Sequence, residues 1–586
     1  MDEQAYGTLD PLDDRSCYPE SKRAAETLLK SYLSPGQAPM IGFATPTGSL
    51  FARSHARGNE IRLMREDAIL PNNQTRHGQL SHQESANCHI KNQPTATSRH
   101  SQLPHQESAN CHIKNQPTAT LKIGQLPHLL LKKWLNSKFN LYLCTKIVKN
   151  MEYKKRIADQ ILADKLEASG AVLIEGPKFC GKTTLAKQQA GSVLSMADPD
   201  KLSQNLALAK MNITKLLVGD TPRLIDEWQI APQFWDAVRN EVDRREDDGQ
   251  FILTGSAVPP KPKKDKEGNV IQEEQIHHTG TGRISRLKLR TMTLWESEDS
   301  TGMVSLGELF KNPESVDGES HIDLDRLAYL TCRGGWPKAV LKKSDKAALA
   351  QAFDYFDSVV NSDIKRVDDV DRDEELAKRI MRSYARNQTS QATAGTILAD
   401  IKNNGDEQMS ENTVYSYMKA LREIFVIEDS IAWNPNLRSK TAIRTSDTRY
   451  FIDPSIATAA LGLGPNDLIN DLNTFGLIFE TLAVRDLRVY AESLDGKVYH
   501  YRDKNNLECD AVVHLRNGSY GLIEVKLGGY ELIKEGAESL KALSDKIDTT
   551  KMKKPSFLMV LTGVGDYAYK RPEDGVLVVP IGCLKN

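Results

Sequence analysis

The rhythm of hydrophobic and polar positions changes near residue 150. Downstream of it, MEYKKRIADQILADKLEASGAVLIEGPKFCGKTTLAK runs as an amphipathic helix, an apolar strand, a glycine-bearing loop and a second helix. Two more apolar runs, RLIDEWQ and FILTGSAV, end in polar groups and predict buried strands. PPKPKKDKEGNVIQEEQ breaks the pattern and reads as an exposed loop. Helical periodicity then dominates to about Phe425, and GTILADIKNNGDEQMSENTVYSYMKALRE predicts a helix, a turn and a second helix capped by Ser410 or Asn412. Strand-like FVIED and YFIDP follow, then a helical FGLIFETLAVRDL, then YHYRDKNNLECDAVVHLRNGSYGLIEVKLG, which predicts two or three strands in hairpin succession. Alternation along the last strand sets Glu524 and Lys526 on one face.

Upstream of residue 150 no such rhythm holds. HQESANCHIKNQPTAT occurs at 82–97 and again at 105–120 within a strict 23-residue period. Polar and apolar positions are copied alike, unlike solenoid repeats, which keep an apolar skeleton. From Ala68 to Asn150 the only acids are Glu84 and Glu107, so this region is expected to be largely disordered. A zinc site from Cys88, His89, Cys111 and His112 is disfavoured, because adjacent Cys-His pairs lack the gap that lets one loop wrap an ion. The expected segments are 1–69, 70–150 (the repeat), 151–300, 301–445 and 446–586, and the functional protein is expected to begin at Met151.

Composition narrows the class without naming a partner. The 586 residues carry a formal net charge of −1, with 39% hydrophobic and 26% charged residues, so any nucleic-acid surface must be local. Eight cysteines without a CxxC pair fit a reducing, cytoplasmic setting. Lys132, Lys133 and Lys138 interrupt the most apolar N-terminal stretch, so neither a bilayer span nor a signal peptide is expected.

GPKFCGKT supplies the chemistry at the start of the third segment: Gly176, Pro177, Lys178, Phe179, Cys180, Gly181, Lys182 and Thr183, with Thr184 opening the helix. Backbone N–H groups of such a loop curl around phosphates, Lys182 would reach the β and γ oxygens, and Thr183 would ligate magnesium. Cys180 is read as a small filler, with a reactive thiol as the alternative. Asp226 would hold the magnesium shell, Glu227 would polarise the attacking water, and Ser256 would sense the γ-phosphate. Of Arg283, Arg286 and Arg290, Arg283 ranks first as the partner of γ-phosphate charge; the alternative is that these arginines are solvated strand residues or a DNA-facing stripe.

Beginning at about Met151, the chain resembles prokaryotic AAA-type ATPases followed by a conserved C-terminal domain of unknown function. GPKFCGKT, LIDEWQ, FILTGS, GRISRLKLR, RGGWP, RSYARN, LRSKTAIRTS, YFIDPSIA and FGLIFETLAVRDLRVYA carry that resemblance, with Thr291 standing where proline is expected. The middle segment has the pattern of a winged helix-turn-helix whose second helix, around Thr413 to Lys419, would enter a major groove, or would serve only to pack protein. RSYARN and NLRSKTAIRTS add local positive charge suited to phosphates. Asp510, Glu524 and Lys526 resemble the site of the PD-(D/E)xK nuclease superfamily, which implies magnesium on the carboxylates and a lysine that orients water. Glu480 matches the helical acid of that family, with Glu508 as a substitute.

The fold expected is therefore α/β: a P-loop AAA-type ATPase domain, a helical and winged-helix middle, and a nuclease-like α/β C-terminal domain. ATP and Mg2+ are the expected cofactors and DNA a candidate partner; the sequence does not set the oligomeric state. The leading function is an ATPase whose nucleotide state controls a nuclease-like domain, and the alternative is an ATP-driven binding switch with that domain silent. A remote third rests on Tyr18 and Lys22, one helical turn apart in a short stretch resembling nucleotide-sugar epimerases, where no glycine-rich dinucleotide turn precedes them.

Overall fold

The computed structural model describes residues 40–45, 48–54, 61–65, 153–255, 279–367, 370, 372–403, 409–435 and 446–586. Tyr18, Lys22, the 23-residue repeat with its Cys-His pairs, Ser256, the 259–275 loop and residues 436–445 of NLRSKTAIRTS lie outside them. The chain divides into two compact units, Met1–Tyr153 and Lys154–Asn586. In the first, Met40–Thr45, Gly48–Ser54 and Ile61–Arg65 form an antiparallel three-stranded meander.

The second unit opens on a five-stranded parallel sheet. Its strands are β1 (Ala171–Glu175), β2 (Ser192–Ser195), β3 (Arg223–Asp226), β4 (Phe251–Thr254) and β5 (Ile284–Lys288), in the order β2-β3-β4-β1-β5. Helices α1 (Ile157–Ala168), α2 (Lys182–Gln189), α3 (Leu202–Asn212) and α4 (Phe234–Arg245) accompany it. Alternate residues of β1 enter opposite cores. Val172 and Ile174 pack with Leu162 of α1 and Leu185 of α2, while Ala171 and Leu173 share a core with Phe234 and Val238 of α4. That two-sided burial explains the unbroken apolar run AVLIE. Because β3 and β4 pair in parallel with Asp226 beside Thr254, and β4 also pairs β1, the polar strand ends gather at the edge where the loop after β1 begins.

Helices α5 (Leu324–Arg333), α6 (Asp345–Ser358), α7 (Glu374–Arg386), α8 (Ala394–Lys402), α9 (Glu411–Glu423) and α10 (Pro454–Leu461) follow. Side chains start several of them: Asp373 accepts from Leu376 N–H, Thr393 from Thr396 N–H, and Ser410, rather than Asn412, from Thr413 N–H. The strand-like FVIED and YFIDP meet in an isolated antiparallel bridge, Ile427 with Phe451, and Ser430 bridges Thr448 just outside both runs. Phe425 turns the chain through a left-handed φ of 59°, and Asp453 already caps α10, so neither run has length to extend.

The C-terminal sheet has seven strands: β6 (Gly318–Glu319), β7 (Gly496–Arg502), β8 (Glu508–Leu515), β9 (Tyr520–Lys526), β10 (Phe557–Thr562), β11 (Tyr567–Lys570) and β12 (Leu577–Pro580). Their order is β6-β11-β12-β10-β9-β8-β7, antiparallel through β7-β8-β9 and parallel through β9-β10-β12. Helix α11 (Leu472–Ser493) covers one face and α12 (Tyr530–Lys546) the other. Ala511, Val513, Ile523 and Met559 join Phe475 and Phe479 of α11, whereas Val512, Leu522 and Val560 join Ala537 and Leu540 of α12. The α11 core is continuous with the middle helices: Leu327, Tyr384, Val414 and Phe451 belong to the same cluster, so it runs across residue 445.

Thr291 earns its place at this junction. Its hydroxyl donates to Asp453 Oδ2 at 2.6 Å, a bond proline cannot make, and the same oxygen accepts from Gly335 N–H at 2.9 Å and Arg485 Nη1 at 3.1 Å. RGGWP and FIDPSIA therefore meet through one buried carboxylate. Burial would raise the Asp453 carboxyl, but Arg485 and these donors hold it below its usual range.

Candidate functional sites

Backbone shape comes first at the phosphate-type loop. Gly176 sits at φ 148°, and a Cβ there would lie 2.1 Å from Leu289 O, so only glycine fits. Phe179 and Gly181, at φ 62° and 99°, turn the loop back onto α2. Lys182 is buried beneath it, its Nζ donating to the carbonyl oxygens of Gly176 at 2.9 Å and Pro177 at 2.8 Å. Thr183 Oγ1 donates to Asp226 Oδ1 at 2.7 Å, joining loop and strand end as the sequence pattern requires. Glu227 holds a left-handed φ of 56° and accepts from Gln229 Nε2.

Three contacts here were not foreseen. Thr254 Oγ1 donates to the same Asp226 oxygen at 2.6 Å; it is the polar end of FILT itself, two residues before Ser256. Lys178 forms an ion pair with the buried Asp363, at the end of a π-helical turn, Val359–Asp363. Arg156 donates to Cys180 O at 3.2 Å and Arg290 O at 3.0 Å while pairing with Glu296 at 3.0 Å. No sequence signal marked Arg156 or Asp363, because their partners are remote in the chain.

Other candidates are sorted by position. Cys180 is fully buried and burial pushes its thiol up, which fits a filler and not a nucleophile. Thr184 faces outward from α2, and the Phe179 ring is 66% exposed. Arg283 is not brought to the loop. It precedes β5, whose first residue pairs with Ala171, whereas the loop leaves β1 at the other end, after Glu175; there Arg283 bonds Asp243 at 2.8 Å. Its expected γ-phosphate role within one chain is therefore corrected by strand polarity. Arg290, at the loop end, is buried against Glu428 and Glu492.

A second constellation lies on the C-terminal sheet. Extending the β8–β9 register one step beyond Ala511 and Ile523 sets Asp510 opposite Glu524. Asp510 Oδ2 accepts from Val525 N–H at 2.8 Å, and Lys526 Nζ lies 2.8 Å from Glu524 Oε2 and 4.0 Å from Asp510 Oδ2. Gly536 lets α12 lie close, since a Cβ there would stand 3.4 Å from Glu524 Cβ and 3.5 Å from Lys526 Cε. Glu480, on α11, accepts from Tyr450 OH at 2.5 Å. Glu480, Asp510 and Tyr450 line one pocket with Thr389, Ser390 and Gln391 of the turn between α7 and α8. Glu508 reaches the same pocket but is tied to Arg502 at 2.9 Å.

Charge at this site is crowded. Burial and then Asp510 push Glu480 well above the usual carboxylate range, and burial and then Asp510 push Glu524 up to about 8. Burial would lower Lys526, but Asp510 and Glu524 override it and hold the ammonium above its ordinary range. Among the described residues no three His, Cys, Asp or Glu groups stand in ligating array, and Glu524 Oε1 is buried without a hydrogen-bond partner. Close carboxylates with an orphaned oxygen suit a hard divalent cation, and Lys526 supplies the positive charge between them.

Comparison with known proteins places the phosphate-type loop within a known domain family. Residues 168–297 match the family described as an AAA domain; residues 324–467 and 475–584 match two domains of unknown function, DUF8612 and DUF4143. An uncharacterized protein of Mycobacterium bovis and one of Mycobacterium tuberculosis are each 22% identical over 385 residues, covering 64% of this chain and 74% of the relative. Among solved structures, the Walker-type ATPase of Pyrococcus abyssi aligns at 13% identity and TM-score 0.32, over 53% of this chain and 96% of that one. The Aeropyrum pernix Orc1 protein in complex with DNA aligns at 14% identity and TM-score 0.21, over 55% and 94%. The chain thus carries an AAA-type, nucleotide-binding ATPase domain followed by two domains of unknown function. Among the described residues no helix is long and apolar enough to cross a membrane.

Proposed function

We propose that ATP on the AAA domain controls a magnesium-dependent, nuclease-like site in the C-terminal domain. The observation that carries this reading is the pairing of Asp510 and Glu524 across a hairpin beside Lys526, with Glu480 in the adjoining pocket wall. In the ATPase, Lys182 would meet the β and γ oxygens, Thr183 and Asp226 would hold Mg2+, and Glu227, oriented by Gln229, would take the proton of the attacking water. At the second site Asp510 and Glu524 would hold Mg2+, which supplies charge to stabilise a pentacovalent phosphate. Lys526, released from Glu524, would orient the attacking water, and Glu480 would complete the acidic wall. DNA is the substrate class we favour. Helices α8 and α9 with the Ile427–Phe451 and Ser430–Thr448 bridges fit a winged-helix reading, and α9 exposes Asn412, Tyr415 and Lys419 on one stripe.

A second reading, an ATP-driven binding switch with a silent nuclease-like site, is favoured by the ion pair that already engages Lys526 with Glu524. Incubation of the protein with Mg2+ and plasmid or single-stranded DNA, with and without ATP, decides between them. Cleavage lost in Lys526→Ala supports the nuclease; absent cleavage, with ATP hydrolysis lost in Lys182→Ala, leaves the switch.

A further inference from the structure

Between the two sites runs a series of contacts through one largely buried carboxylate, Glu428. The segment that follows β5 touches the phosphate-type loop on one side: Leu289 N–H donates to Glu175 O at 2.7 Å, and Arg156 bridges Arg290 O and Cys180 O. On its other side the Arg290 guanidinium grips Glu428 in a fork, both bonds 2.7 Å, and Lys288 adds a third at 3.0 Å. Glu428 and Arg290 then hold α11. Arg488 donates to Glu428 O at 2.8 Å, and Glu492 pairs with Arg290 at 2.9 Å. Arg488 also lies over the Tyr450 ring, 5.3 Å from its centroid, and Tyr450 OH ends the series on Glu480.

We infer that Glu428 is a positioning residue that transmits nucleotide occupancy of the AAA domain to Glu480, with α11 as the rigid arm between them. Resting on the reading of both sites given above, it names the route by which one would govern the other. Phosphates compete with the Gly176 and Pro177 carbonyls for Lys182, so the loop that carries Cys180 O must rearrange. Arg156 and the 288–290 segment follow that loop, and Arg290 cannot leave Glu428 without stranding a buried charge. The arm therefore shifts with its anchors, and Glu480 moves relative to Asp510 and Glu524.

Hydrogen exchange of the full chain, with and without a non-hydrolysable ATP analogue, tests this directly. Nucleotide should change protection in α11 and the β8–β9 hairpin of the wild type; in Glu428→Gln that response should vanish, and in Tyr450→Phe, where the Glu480 carboxylate on α11 loses its donor, the hairpin response should weaken, while analogue affinity stays within about twofold. Mn2+ titration adds a second readout: nucleotide should shift affinity of the Asp510-dependent ion by about fivefold or more, and Glu428→Gln should bring that ratio near one. Unchanged exchange in the wild type, or a response that survives both substitutions, overturns the inference. Mn2+ binding that is indifferent to Asp510→Asn would instead sink the metal-site reading, leaving the exchange result to judge the relay. Should Glu428→Gln fail to fold, Tyr450→Phe, which keeps the ring, carries the test.

Discussion

Asp226 shows how much one oxygen can be asked to do. Its Oδ1 accepts from Thr183 and from Thr254, so the strand end is braced from the loop and from the neighbouring strand at once. Thr254→Val keeps the shape and removes one brace from a charged acceptor, a loss of about 1.5–3 kcal/mol. ATP turnover should fall by about tenfold or more, with analogue affinity changed little; steady-state kinetics beside equilibrium binding would show the split. His500 gives a prediction of another kind. Burial lowers its pKa to about 4, and its Nε2 has no hydrogen-bond partner among the described residues. Since the unfolded imidazole titrates near 6.5, the unfolded chain binds the extra proton first as pH falls. Stability should therefore drop between about pH 6.5 and 4, by up to roughly 3 kcal/mol from this residue. Urea unfolding at pH 7.5 and 4.5 should show a shallower drop in His500→Asn than in the wild type.

Elements built on local chemistry were legible; those set by distant partners were not. The apolar run AVLIE, the loop glycines and the Ser410 cap each declare themselves within a few residues, and the Glu524-Lys526 alternation followed from strand period alone. Arg283 misled because sequence does not say which end of a parallel strand a residue occupies until the pairing with Ala171 is known. FVIED reads as a strand from its apolar start, whereas Glu428 and Asp429 at its end are each held by arginine contacts, Glu428 by Arg290 and Asp429 by Arg449. Glycines divide in the same way. A Cβ at Gly335 would stand 2.0 Å from Met292 O, so Gly335→Ala should cost several kcal/mol or prevent folding. Gly476, inside α11, would meet only Leu527 at 3.9 Å, and Gly476→Ala should stabilise by about 0.5–1 kcal/mol. Thermal unfolding of the two variants would show opposite signs.

At the scale of the molecule, the matched domain families meet between residues 467 and 475, yet one core passes through both. Phe479 and Ile523 are buried in the same cluster as Tyr384 and Val414. A fragment of residues 446–586 should therefore expose apolar surface and bind a hydrophobic dye, and residues 301–586 should unfold in a single transition. Two separate transitions, or a dye-silent fragment, would show that the middle helices and the sheet are independent.

Lys526 carries a last consequence. With its ammonium 2.8 Å from Glu524 and 4.0 Å from Asp510, the chain itself supplies one positive charge to the acid pair. A metallo-domain whose ligands merely repel one another unfolds when chelated. Here EDTA should leave the melting temperature of the C-terminal sheet unchanged, and added Mn2+ should have to displace a lysine before it binds. Its affinity should accordingly rise as pH climbs toward about 8 and Glu524 gives up its proton. The site would be stored with an internal cation and armed by exchange.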